Sequence, residues 1–131
     1  MSFSKWIAIG AFVAAAGVMI GAFGAHGLED RLDEQQRATY EIGVRYQMYT
    51  AFGIVAVGLL VSIGGEQRGL TASAWCLVFG VCVFSGCLYG LALGGPRFLG
   101  AIVPIGGLAT IAGWVLLGAA AWRGRNVRSQ T

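Results

Sequence analysis

Residues 17–28 read GVMIGAFGAHGL, and this stretch decides how the chain folds. Here a long apolar run becomes rich in glycine, reaches the only histidine of the chain, His26, and stops at Glu29 and Asp30. Residues 6–25 carry no charge. At about 1.5 Å per residue, a helix of this length crosses a hydrocarbon layer of ~30 Å. The stretch therefore predicts the end of a first membrane span.

A signal peptide is the alternative interpretation, because Lys5 resembles a basic start and residues 22–25 offer small residues for cleavage. The apolar stretch is longer than the usual core of about 7 to 15 residues. Small residues also recur at steps of four and three along it, at Gly10, Ala14, Gly17, Gly21 and Gly24. This stripe favours a helix-packing face over a cleaved leader.

The composition favours helices in lipid. The 131 residues are 56% hydrophobic and 11% charged, with a mean hydropathy of +0.71, whereas soluble domains are about a quarter charged. Glycine contributes 22 residues and proline 2. Small residues let membrane helices approach closely, whereas the strands of a membrane barrel would alternate apolar and polar residues. We predict an all-α integral membrane four-helix bundle.

Charge and cysteine content argue against several other classes. The net charge of +3 comes from scattered cations without a basic stripe, so we expect no nucleic-acid partner. Cys76, Cys82 and Cys87 lie in one apolar run without a Cys-x-x-Cys pair, and we interpret them as small core residues. With a single histidine and no metal-ligand spacing, we expect no metal and no cofactor.

Four spans are predicted in a single membrane domain of residues 1–131, at residues 6–25, 47–63, 70–93 and 98–122. Glycine-containing turns at residues 64–69 and 95–97 separate the later spans. Most of the charge falls in residues 28–45, where Asp33 and Gln36 have capping-box spacing. We predict an amphipathic interfacial helix that begins near Glu34 and runs into span two. A solvated connecting helix is the simpler alternative.

Glycine spacing also predicts where the helices meet. Span three contains a tandem G-x-x-x-G at Gly86, Gly90 and Gly94, and span four contains Pro104, which should free or displace the carbonyl of Gly100. The predicted helix-packing glycines are Gly17, Gly21, Gly24, Gly86, Gly90, Gly106 and Gly113.

Four spans in an up-down-up-down path place both termini on one side. One side would carry Lys5, Arg68, Arg123, Arg125 and Arg128, and the other Arg31, Arg37, Arg45 and Arg97. Because three arginines directly follow span four, the positive-inside rule predicts cytoplasmic termini.

This orientation gathers polar residues toward the outer leaflet. They are His26, Gln47, Thr50, Ser85 and Tyr89, with Gly100 and Pro104 at the break in span four. Polar side chains at this depth usually face the bundle interior, so these residues form a hypothetical ligand-binding niche.

Each niche residue also has a structural interpretation. His26 can bond the last carbonyls of span one, Gln47 and Thr50 can join helices, and Tyr89 can anchor the interface. Glu41 and Arg45 are most simply an exposed pair one helical turn apart.

Four ordered segments resemble a known family. They are GAFGAHGL at residues 21–28, YQMY at 46–49, FSGCLY at 84–89, and PIGG at 104–107 with Gly113 and Trp114. They resemble the signature segments of the small membrane proteins of domain of unknown function 423, related to transmembrane protein 256 of animals. The resemblance implies four transmembrane helices in a bacterial inner membrane and no established activity. It also implies a histidine soon after the Tyr46–Gln47 pair, where this chain has Thr50, and this departure weakens any two-histidine mechanism.

The sequence favours a non-enzymatic function. It has no Ser-His-acid arrangement, and its acidic residues all lie outside the predicted spans, whereas proton-coupled carriers usually need an embedded acid. The leading hypothesis is a membrane component that holds membrane lipid or a partner protein, with a homo-oligomer as a further alternative. The second hypothesis is a small-solute channel or carrier that uses the polar niche.

Overall fold

The computed structural model describes the backbone of residues 1–128 and the side chains of residues 1–124. This part of the chain forms the helices α1 (Phe3–His26), α2 (Glu34–Gly64), α3 (Arg68–Ala92) and α4 (Leu99–Arg128), and no strand. Each of the four is long and apolar enough to cross a membrane. The predicted all-α architecture with four long apolar helices is therefore confirmed.

The predicted spans fall on these helices, and only Leu93 and Phe98 lie just beyond a helix end. Residues 34–45 of the charged segment and span two form one continuous helix, α2. Its start is fixed by a capping box, in which the Gln36 amide N donates to Asp33 Oδ1 at 2.8 Å and the Asp33 amide N donates to Gln36 Oε1 at 3.0 Å. The predicted start near Glu34 is confirmed. That the first turns rest at a membrane interface stays a prediction.

Short connections join the later helices. Gly65 ends α2 with a φ of 78°, and Gly94 follows α3 with a φ of 88°. Both values lie in the left-handed region that favours glycine. The Met1 ammonium contacts the Glu66 carboxylate, which brings the start of α1 next to the α2–α3 connection.

Each helix packs mainly on its neighbours in the chain. α1 packs on α2, α2 on α3, and α3 on α4, with a smaller contact between α2 and α4. α2 and α3 are consequently the most buried helices, and α1 and α4 form the edges. One core cluster surrounds Trp6, Ile54 and Leu77, and a second lies at the opposite ends of these helices around Leu28, Tyr40 and Ala92. The exposed side chains include large apolar groups such as Phe12, Phe79 and Ile111, as expected for surfaces that face lipid.

Glycines of α1 lie directly against α2. A Cβ added to Gly17 would lie 2.7 Å from the sulfur of Met48, and one added to Gly24 would lie against the ring of Tyr40. Between α3 and α4 a close backbone approach lies at Gly106, where an added Cβ would clash with the backbone N of Phe84. Gly21 and Gly113 likewise face Val44 and Leu77.

The tandem glycine motif of α3 does not form a helix contact as a unit. Gly86 is exposed, and an added Cβ there would touch nothing within 4 Å. A Cβ on Gly90 would meet only the end of the Leu99 side chain, at 2.8 Å. α3 instead approaches α4 through Gly80, against Thr110. The prediction for Gly86 was wrong because the motif gives the spacing of glycines without saying which face of α3 meets a neighbour.

The three cysteines of α3 differ in exposure. Cys82 is exposed, so it is not a core residue, while Cys76 and Cys87 are half-buried.

The side chains of Arg125 and Arg128, which entered the orientation argument, lie outside the described residues. The up-down-up-down path with cytoplasmic termini therefore stays a prediction.

Candidate functional site

Gln47 is the centre of the buried polar residues. Its side chain is 6% exposed and lies on the face of α2 that packs between α1 and α3. Its Nε2 donates to the carbonyl of Val13 in α1 at 2.9 Å. Its Oε1 accepts from the Tyr89 hydroxyl in α3 at 2.6 Å. One amide therefore connects three helices, and both of its polar atoms are bonded inside the protein.

Two further side chains complete this arrangement. The Ser85 hydroxyl donates to the carbonyl of Gly43 at 2.8 Å, and the Tyr40 hydroxyl donates to the carbonyl of Ile20 at 2.6 Å. The rings of Tyr40 and Tyr89 lie 5.2 Å apart between centroids. We refer to Tyr40, Gln47, Ser85 and Tyr89 as the polar cluster.

Sequence reasoning missed two residues of this region, Tyr40 and Gly43. Tyr40 falls within the segment predicted as an amphipathic interfacial helix. Gly43 lets the ring of Tyr89 lie flat against α2, because an added Cβ would stand 2.7 Å from the ring carbon Cε1. A glycine four residues before Gln47 was the available signal, since positions four apart share a helix face.

Of the remaining predicted niche residues, Thr50 lies beside Gln47, and the others lie elsewhere. Thr50 is 1% exposed, one turn beyond Gln47 on the same buried face of α2. His26 is exposed in the last turn of α1, and Gly100 and Pro104 are exposed on α4. The niche as predicted is not formed, because α1 and α4 are the two edges of the fold and α4 packs chiefly on α3. α4 also continues as a helix through Pro104.

A second polar region lies between the C-terminal half of α1 and the N-terminal half of α2. It is an open cavity of about 490 Å³, within the range of roughly 300–1,000 Å³ found for small-molecule sites. We refer to it as the α1–α2 groove. Its lining residues are Gly21, Gly24, Ala25, Glu29, Leu32, Arg37, Tyr40, Glu41, Val44 and Arg45. Tyr40 belongs to both the groove and the polar cluster.

The two walls of the groove differ in chemistry. α1 contributes only small residues, Gly21, Gly24 and Ala25. α2 contributes Arg37, Glu41 and Arg45, which are four residues apart and therefore share one face. This spacing was visible in the sequence, but whether the face meets α1 depends on how α2 is rotated in the fold.

The charges in the groove are not paired with one another. Arg37 Nη2 donates to the backbone carbonyl of Glu29 at 2.6 Å. Among the residues whose side chains are described, the one ion pair joins the Met1 ammonium to Glu66. The predicted pair of Glu41 and Arg45 is therefore not a closed ion pair. Two acidic and two basic residues therefore line one cavity, and their charged groups can still form hydrogen bonds and ion pairs.

Residues 1–124 hold no group of three or more His, Cys, Asp or Glu side chains placed to bind a metal. What distinguishes the region is the combination of a polar cluster whose side chains bond to other helices and an open, charged groove beside it.

Comparison with known proteins identifies the family. A sequence model described as "Protein of unknown function (DUF423)" matches residues 20–107, which include the polar cluster and the whole groove. The chain belongs to this family. The predicted resemblance is thereby confirmed.

Curated relatives in this family resemble the chain over most of its length. A UPF0382 membrane protein of Staphylococcus epidermidis is 45% identical over 112 residues, covering 86% of this chain and 90% of the relative. UPF0382 membrane protein YwdK of Bacillus subtilis is 38% identical over 116 residues, covering 88% and 94%. UPF0382 membrane protein SAB0533 of Staphylococcus aureus is 36% identical over 112 residues, covering 86% and 90%. No solved structure matches the chain.

These relatives are named as membrane proteins, and the chain has four helices suited to crossing a membrane. The chain is therefore a multi-pass membrane protein, and the name of its family states no activity.

Proposed function

We propose that this chain is a non-enzymatic component of the bacterial inner membrane that holds a membrane lipid in the α1–α2 groove. The observation that supports this function is the groove itself, whose lining combines small residues of α1 with charged residues of α2 that form no ion pair with one another. In the proposed orientation both termini are cytoplasmic and the groove opens at the outer leaflet.

An amphiphile matches both walls of the groove. Gly21, Gly24 and Ala25 offer a shallow surface without side-chain polar groups, against which an acyl chain or glycerol backbone can lie. Arg37 and Arg45 offer guanidinium groups, which bind phosphate oxygens through charge-assisted hydrogen bonds. A lipid places these two chemistries side by side at the membrane interface, as the groove does.

The polar cluster supports the same function indirectly. Gln47 uses both the nitrogen and the oxygen of its amide for bonds between helices, which supports a role in holding the helices together rather than in passing a solute along a pathway. We therefore propose the cluster as the element that holds α1, α2 and α3 together beneath the groove. A channel or carrier through it is not proposed.

The test uses the protein purified in lipid nanodiscs and analysed by native mass spectrometry. We expect lipid that remains bound after the bulk lipid is removed. Ala25→Leu should fill the groove without altering its charge, and should remove most of the retained lipid. Ala112→Leu is the matched control, because Ala112 is exposed on α4 and does not line the groove. Equal retention in both variants, or retention of a stoichiometric protein instead of lipid, would contradict the proposal.

A further inference from the structure

The α1–α2 groove has balanced charge. Its lining includes two acidic residues, Glu29 and Glu41, and two basic residues, Arg37 and Arg45. The formal charge of the lining is therefore zero, and all four charged residues are exposed. A site built for a purely anionic ligand would be expected to carry excess positive charge.

The charges alternate along α2, yet they do not neutralise one another. Arg37, Glu41 and Arg45 follow one another at steps of four, which is the spacing at which exposed ion pairs commonly close. Here no ion pair joins these side chains or Glu29 within the described part of the chain. Arg37 instead donates to the backbone carbonyl of Glu29 in the α1–α2 connection, and no cation of a described residue pairs with the Glu29 carboxylate.

From this arrangement we infer that the groove recognises a zwitterionic phospholipid headgroup that carries a primary ammonium. This inference rests on the function proposed above. Arg37 and Arg45 bind the phosphate oxygens, and Glu29 and Glu41 accept hydrogen bonds from the ammonium. Each unpaired charge of the groove then has a partner of opposite sign in the ligand.

Two other headgroup classes fit less well. An anionic headgroup without an amine would satisfy the arginines but leave two carboxylates facing its negative charge. A quaternary ammonium has no N–H to donate, and its usual site is a cage of several aromatic rings. Tyr40 is the one aromatic residue in the groove lining.

The same headgroup chemistry occurs in soluble phosphodiesters, and the apolar wall distinguishes the two sources. Gly21, Gly24, Ala25 and Val44 contribute no side-chain polar atom to the groove. A water-soluble ligand would gain nothing from that wall, whereas a lipid places its glycerol and first acyl carbons there. We therefore assign the occupant to the membrane.

The experiment is a competition in nanodiscs that contain equal mole fractions of phosphatidylethanolamine, phosphatidylcholine and phosphatidylglycerol. Native mass spectrometry then measures which lipid stays bound to the protein. We expect phosphatidylethanolamine to be enriched roughly three- to fivefold over each of the other two, as for partly exposed charge contacts. Soluble glycerophosphoethanolamine at the same concentration should not displace it.

Charge variants test the ammonium contact and the phosphate contact separately. Glu41→Gln removes an ammonium acceptor and leaves a net positive lining, so the preference should shift from phosphatidylethanolamine to phosphatidylglycerol. Arg45→Gln removes a phosphate donor and should lower retention of all three lipids. Glu34→Gln is the matched control, because Glu34 is an exposed α2 residue outside the groove lining, and it should keep the original preference.

The outcomes separate this inference from the function on which it rests. Lipid retention without any headgroup preference, or with phosphatidylglycerol preferred by the unmodified protein, would overturn the inference and leave the proposed lipid-binding function standing. Displacement by glycerophosphoethanolamine would overturn the assignment to a membrane lipid. Absence of any retained lipid would overturn both.

Discussion

The hydroxyl of Tyr89 donates to Gln47 Oε1 at 2.6 Å and so joins α3 to α2 inside the apolar part of the fold. The other end of the same amide reaches the Val13 carbonyl of α1. In hydrocarbon a polar side chain without a partner is costly, so this pair restricts how the three helices can be arranged. The polar cluster is connected to the groove between α1 and α2 through Tyr40, which contacts Tyr89 and also lines the groove.

Tyr89→Phe tests this bond directly. The variant keeps the ring but removes the hydroxyl, and we expect it to lower the free energy of unfolding by about 0.5–1.5 kcal/mol. Unfolding in mixed micelles by a denaturing detergent measures the change. Tyr49→Phe is the control, because Tyr49 is 53% exposed and its hydroxyl makes no hydrogen bond with another described residue. Equal effects of the two substitutions would show that the Tyr89 hydroxyl contributes nothing specific.

Gly106→Ala tests the contact between α3 and α4. An added Cβ would stand against the backbone N of Phe84, which cannot move aside as the end of a flexible side chain can. We expect a loss of about 1–3 kcal/mol in the free energy of unfolding, typical of overpacking. Gly86→Ala makes the same change in the middle of α3, where nothing lies within 4 Å. It should be neutral or stabilising, by up to about 1 kcal/mol, from the better helix propensity of alanine. A loss of stability in Gly86→Ala would indicate an unrecognised contact on that face.

Features that depend on local sequence could be predicted, and those that depend on helix rotation could not. The four apolar helices and the start of α2 at Glu34 follow from hydropathy and the Asp33–Gln36 spacing, both of which act within a few turns. Gln47 and Tyr89 could be recognised as unusual, because polar side chains are rare within membrane spans.

Their partners could not be read from the sequence. His26 and Pro104 were grouped with Gln47 on depth alone, but depth does not say which helices are neighbours, and the structure puts α1 and α4 at opposite edges. The groove was missed for the same reason. Glu41 and Arg45 are exposed as predicted, but only the rotation of α2 toward α1 shows that they also line a cavity.

Asp33→Ala tests the link between the capping box and the groove. Removing the side chain leaves the Gln36 amide N without its capping acceptor, and helix caps of this kind contribute about 1 kcal/mol. We expect faster amide hydrogen exchange in the first two turns of α2, which carry Arg37 and Tyr40, and weaker lipid retention. Asp30→Ala is the control, since Asp30 is exposed in the preceding turn and caps no helix. Unchanged exchange in Asp33→Ala would mean that tertiary packing alone holds this end of α2.

The contact between Met1 and Glu66 predicts a shifted titration. The hydrogen bond from the Met1 ammonium, followed by its positive charge, holds the pKa of the Glu66 carboxyl below its ordinary value of 4.5. A lowered folded-state pKa stabilises the fold above the unfolded pKa, and that stabilisation is lost as the pH falls through the folded value. Both groups are solvent-accessible, so the titration itself is the better measurement.

NMR of carboxyl-labelled glutamate in nanodiscs, assigned with Glu66→Gln, should show Glu66 titrating below 4.5. Extending the N-terminus by two residues carries the ammonium away and should return the Glu66 pKa toward its ordinary range. An unchanged Glu66 pKa in the extended chain would show that the Met1 ammonium does not cause the lowered pKa.

Orientation decides which leaflet supplies the groove with lipid. Arg123 directly follows the apolar part of α4, whereas Arg31 and Arg37 are set back from the membrane spans beside Glu29 and Asp30. The positive-inside rule then predicts that a reporter fused to the C-terminus is cytoplasmic and that an epitope inserted between Asp30 and Asp33 is accessible from outside intact cells. A second epitope in the α2–α3 connection at Glu66 is the control, because it should be accessible only after the membrane is opened. The reverse pattern would place the groove at the cytoplasmic leaflet and make that leaflet the source of its lipid.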